Sequence, residues 1–227
     1  MTPKLISEFV GTFFLVLTIG LTVLIGTEFA PIAIGVMLTA MVYMGGHISG
    51  AHYNPAVTLA VWMRGKMPTS EIAPYMVAQL LGAMGGAFAA YIVNDRTLQV
   101  VRGAETTTFE FFLLEFLFTF ALVLVILNVA TTRGTAGNSY YGLAIGFTVM
   151  AGAFAAGPVS GGAFNPAVAL GPILIDVLFG EGASLRDLWL YLVSTFSGGA
   201  LAALVFRAQN PDEMLDEIAD DAREAAA

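Results

Sequence analysis

The chain has 227 residues, 57% hydrophobic and only 11% charged, which is more apolar material than a soluble core of that length can bury; the composition excludes a soluble domain and indicates a bilayer. The formal net charge of −8 gathers at one end: seven of seventeen acids (Asp212, Glu213, Asp216, Glu217, Asp220, Asp221, Glu224) follow Pro211 against one base, Arg223, which reads as a solvated tail and argues against nucleic acid as partner. The absence of cysteine excludes a disulfide framework, thiol catalysis and thiolate metal sites.

In chain order, the first predicted helix covers residues 4–25. Only Lys4 precedes its apolar run and no small-residue cleavage site follows, so it reads as a retained span and not a signal peptide. A second helix is expected over 31–46. Then comes HISGAHYNPAVTL (47–59), whose apolar part, 55–63, extends only about 15 Å as a helix, half of a hydrocarbon core about 30 Å thick. Further helices are predicted over 70–93, 108–130 and 140–157. They are followed by PVSGGAFNPAVAL (158–170), a second short stretch at 166–175, and a last helix at 185–206. The reading is an all-α membrane protein with six spans and two re-entrant half-helices. Irregular backbone at membrane depth persists only where protein or a water-filled cavity covers it, so a lumen is implied. Residues 1–208 read as one channel domain and 209–227 as the acidic tail.

Two halves, near 4–94 and 108–208, repeat each other. Residues 49–59 and 160–170 share seven of eleven identities at an offset of 111; Glu8-Phe9 with Thr12-Phe13 echoes Glu115-Phe116 with Thr119-Phe120 at 107, and Tyr75 with Gly82 echoes Tyr191 with Gly198 at 116. Three spans per half is an odd number, so the second half enters the membrane from the opposite side and the half-helices face each other. The bases Lys4, Arg64, Lys66, Arg133, Arg207 and Arg223 then lie on one side and Arg96, Arg102 and Arg186 on the other, which places both termini in the cytoplasm. Gly82 with Gly86, Gly142 with Gly146, and Gly198 with Ala202 place small residues on one helix face and read as packing.

In each Asn-Pro-Ala (Asn54, Pro55, Ala56 and Asn165, Pro166, Ala167), asparagine suits the N-cap and proline the first helical position. With their oxygens capping the helices, the Asn54 and Asn165 amide NH₂ groups are expected to donate into the lumen. Two helix N-termini meeting at mid-depth bring about +0.5 charge each, which repels cations and breaks a proton-conducting line of waters. A lone asparagine of this kind reads as a cap without further role; duplication at matched depth reverses that and favours the pore.

With both boxes in view, the sequence resembles the aquaporin or major intrinsic protein family from Lys4 to Phe206. The resemblance implies an aquaporin-like six-helix bundle, a homotetramer with a pore in each subunit, passive passage of water and small neutral solutes, no enzymatic activity and no cofactor or metal. It further implies that Glu8 and Glu115 are buried and hold the re-entrant loops, where snorkelling near a helix start is the alternative. His47 and His52 resemble the family's loop histidines beside the inner vestibule, in packing or backbone bonding rather than gating. The family's usual filter arginine is Val168 here, and the other filter positions fall on Ile34, Ala153 and Gly162. Without five guanidinium donors and a fixed charge, the filter is expected to pass glycerol, urea, ammonia or hydrogen peroxide as well as water; refilling of the gap by neighbouring side chains is the alternative. Among other family markers, Ala169 leans toward the water branch and Tyr191-Leu192 is ambiguous. Two rival functions stand beside this reading: a coupled secondary transporter using Glu8 and Glu115 as its relay, and a non-conducting structural junction protein.

Overall fold

The computed structural model describes residues 1–213. Asp212 and Glu213 of the acidic tail fall within these residues; Asp216, Glu217, Asp220, Asp221, Arg223 and Glu224 lie outside them. Among the described residues the main elements are eight α-helices: α1 (Thr2–Leu24), α2 (Ala30–Ser49), α3 (Pro55–Met63), α4 (Thr69–Asn94), α5 (Thr108–Thr131), α6 (Tyr141–Ser160), α7 (Pro166–Phe179) and α8 (Leu188–Gln209). Six are long and apolar enough to cross a membrane, and α3 and α7 are the short ones. The long helices are greasy almost all round, with Val36, Ile92, Phe109, Phe147 and Leu204 among their outward side chains, as a helix facing lipid requires.

Packing follows the repeat. In the first half α1 lies along α2 and α4; in the second α5 lies along α6 and α8, while α2 against α6 joins the halves. Each half-helix crosses to the other half, α3 onto α8 and α7 onto α4. The close helix pairs depend on missing side chains. A Cβ on Gly82 would strike the Phe9 carbonyl oxygen of α1, and one on Gly198 would strike its counterpart, the Phe116 carbonyl oxygen of α5. Small residues let these backbones touch, which is how helices associate where lipid removes the hydrophobic incentive.

Two local features differ from the sequence expectation. The second half-helix runs four residues past residue 175, because Asp176, the charge directly after the predicted end, is buried and accepts hydrogen bonds from Thr97 Oγ1 (2.7 Å) and Ser184 Oγ (2.8 Å). Arg64 is no solvated loop base. It caps the C-terminus of α3 in full burial, 4.8 Å from the centre of the Phe206 ring and 3.2 Å from Glu213.

Candidate functional site

Each re-entrant loop is built the same way. Asn54 and Asn165 are extended (φ −157° and −158°) and cap α3 and α7: Asn54 Oδ1 accepts from Ala56 N at 2.8 Å, and Asn165 Oδ1 from Ala167 N at 2.9 Å. Pro55 and Pro166 take the first helical positions, where a missing N–H costs nothing. The amides do not stay free for the lumen as expected. Asn54 Nδ2 donates to the Phe164 carbonyl at 2.9 Å and Asn165 Nδ2 to the Tyr53 carbonyl at 2.8 Å, so one N–H of each pins the opposite loop and one remains. Both asparagines are buried, and these reciprocal bonds bring the two helix N-termini together.

The loop residue before each asparagine lies in left-handed backbone, Tyr53 at φ 49° and Phe164 at φ 48°, a conformation that costs an ordinary residue about 1–2 kcal/mol. It is held from both sides. Glu8 Oε2 accepts from Tyr53 N (2.7 Å), and its Oε1 accepts from His52 N (3.0 Å) and Ser49 Oγ (2.6 Å). In the second half Glu115 Oε2 accepts from Phe164 N (2.8 Å), and its Oε1 accepts from Ala163 N (3.0 Å) and Ser160 Oγ (2.6 Å). Tyr75 OH donates to the Ser49 carbonyl at 2.9 Å, and Tyr191 OH to the Ser160 carbonyl. Both glutamates are wholly buried, at depth and not snorkelling.

Sequence reasoning named the glutamates but gave no role to Tyr53, Phe164, Ser49 or Ser160. The signal was present in the Ser-Gly matched at 111 and in the aromatic before each box. What it lacked was a reason to expect a bulky residue in left-handed backbone.

Two cavities flank the boxes. One, of about 460 Å³, opens away from the N-terminal face through the α1–α2 and α4–α5 connections; Ile34, Ala153, Gly162, Val168, Asn54 and Asn165 all line it. Its bases and acids among the described residues are Glu28, at the mouth, and the His52 imidazole. The other, of about 520 Å³, opens on the N-terminal face beside the α5–α6 connection and is lined by His47, Gly50, Asn138 and Tyr141. The histidines thus part company: His47 faces the second cavity, while His52 lines the first, with Nδ1 3.1 Å from Thr58 Oγ1 and its ring 5.2 Å from that of Tyr75. Val42, Ala51, Ile126 and Ile145 line both cavities, so the two abut.

The Major intrinsic protein family profile matches residues 1–206. Nodulin-26 of Glycine max is 36% identical over 214 residues, covering 89% of this chain and 76% of that protein. Aquaporin Z of Rhodopseudomonas palustris is 31% identical over 233 residues, covering 93% and 95% respectively. The X-ray structure of the aquaglyceroporin from Plasmodium falciparum superposes with a TM-score of 0.78 at 25% identity, covering 96% of this chain and 98% of that one.

Proposed function

Because the chain belongs to the major intrinsic protein family, whose members are channels and not enzymes, we propose that it is a passive water channel whose filter also admits small uncharged solutes. The observation that carries the reading is the pair of asparagine-capped helix N-termini, pinned to each other beside a cavity whose proposed filter, Ile34, Ala153, Gly162 and Val168, holds no cationic side chain. Cations and protons are rejected at the boxes, where two partial positive charges of about +0.5 each face the lumen and a bare cation finds no compensating carboxylate. Neutral solutes meet no fixed charge at the filter. Glycerol is among them, a reading that the likeness to an aquaglyceroporin supports.

Passive flow is favoured over coupled transport because Glu8 and Glu115 spend their oxygens on loop N–H and hydroxyl groups, which leaves little capacity for a proton relay. Residues 1–208 act as the channel unit, in a homotetramer with both termini cytoplasmic; the excess of bases on the N-terminal side supports that orientation.

The test is stopped-flow light scattering on proteoliposomes, challenged separately with an impermeant osmolyte, glycerol and urea. The natural chain should shrink faster than empty vesicles and then reswell with glycerol and urea. Val168→Arg should slow reswelling more than shrinkage. Equal slowing of both, or no reswelling in the natural chain, contradicts the permissive filter, and shrinkage no faster than empty vesicles contradicts the channel.

A further inference from the structure

The repeat maps the proposed filter onto a second set of residues. Counting the offset of 111, Ile34 corresponds to Ile145, Ala153 to Val42, Gly162 to Ala51 and Val168 to Val57. Three of these four, Val42, Ala51 and Ile145, are among the residues that line both cavities, at the waist where the two spaces meet. The fourth shared residue, Ile126, corresponds at the offset of 107 to Ile19, which lines the first cavity. Under an inverted repeat, this set takes toward the N-terminal face the place relative to the boxes that the filter takes toward the other face.

We propose that Val42, Ala51, Val57 and Ile145 form a second apolar collar in series with the filter, and that this collar sets the size limit for solutes. The inference rests on the channel reading above. An arginine at residue 168 would make the two sets chemically unlike; with valine there, Ile34 faces the same role as Ile145, and Val168 the same role as Val57. The remaining two positions differ in one direction only. Val42 carries two carbons more than Ala153, and Ala51 one more than Gly162, so on a shared frame the second collar is narrower by three carbons. Burial agrees at the two positions that differ in size: Val42 and Ala51 are 2% and 6% exposed, whereas Ala153 and Gly162 are half-buried; Ile34 and Val168 are as buried as Ile145 and Val57. None of these side chains offers a hydrogen bond, so a polyol shedding water there regains nothing from them and the tighter ring imposes the larger barrier.

Glycerol and urea uptake should be measured by stopped-flow for the natural chain, Val42→Ala and Ala153→Val. Val42→Ala widens the waist and should speed glycerol uptake roughly three- to tenfold, with water changing less. Ala153→Val gives the filter a barrier equal to that of the collar and should slow glycerol uptake by at most about twofold, because two equal barriers in series double the resistance of one. In the cysteine-free chain, Val42→Cys supplies a second measurement: a small thiol reagent should block water and glycerol together. The proposal is overturned if Ala153→Val slows glycerol by much more than about twofold while Val42→Ala leaves it unchanged, or if labelled Val42→Cys conducts normally. If the natural chain excludes glycerol and Val42→Ala admits it, the collar stands and the permissive reading of the whole pore falls.

Discussion

At the scale of single residues, the site rests on two carboxylates acting as templates for backbone. Glu115 presents two oxygens to the Phe164 and Ala163 N–H groups and the Ser160 hydroxyl, and thereby holds Phe164 at its positive φ. Glu115→Gln replaces one acceptor oxygen with an NH₂ that faces donors, leaving buried N–H groups unsatisfied at about 1–3 kcal/mol. The expected outcome is a lower thermal midpoint in detergent with reduced water permeability; unchanged stability would show that the loop holds its shape without the carboxylate. Glu8 has an additional donor, Gln79 Nε2 at 2.8 Å, whereas the corresponding Thr195 bonds the Tyr191 carbonyl in its own helix. Glutamates at depth were legible in the sequence because a charge in an apolar run needs a partner. The reciprocal asparagine bonds were not, since a cap at one helix says nothing of which carbonyl the spare amide finds across the pseudo-axis.

At the scale of elements, the half-helices start where the sequence expectation put them, at proline, whereas α2 and α6 run three residues past the expected ends at 46 and 157. Gly50 and Gly161 end α2 and α6 in left-handed backbone, and the prolines start α3 and α7. The longest overrun was at Asp176, where a charge looked like the edge of the apolar stretch but tertiary partners, Thr97 and Ser184, let the helix run on. The small-residue pattern was legible as packing, while its partners were not, because a helical spacing does not name the neighbour. Gly198→Ala pushes a methyl group into the Phe116 carbonyl and so must part α5 from α8. Overpacking of this kind costs about 1–3 kcal/mol. A reduced yield of folded protein and a lower thermal midpoint are expected, and a midpoint equal to that of the natural chain would mean that α5 and α8 adjust at no cost.

At the scale of the whole molecule, the antiparallel duplication brings the partial charges of α3 and α7 to one point. A single half-helix would bring one N-terminus to the site; two, pinned by the reciprocal Asn54 and Asn165 bonds, bring about one full positive charge to a single point. This matters all the more under the proposed function, in which the filter has Val168 in place of a base and the boxes are the main barrier to cations. Asn54→Asp and Asn165→Asp together keep both caps, since aspartate accepts from helix N–H groups as asparagine does, but they add two negative charges beside the lumen and remove the amide donors. Proteoliposomes with this pair of substitutions should collapse an imposed proton gradient faster than the natural chain, as read by an entrapped pH dye. Either single substitution should show a smaller leak, because one carboxylate about neutralises the two helix ends. If the doubly substituted chain folds, passes water and stays as proton-tight as the natural one, exclusion does not arise from helix charge at the boxes, and the apolar collars on either side must supply it by their narrowness.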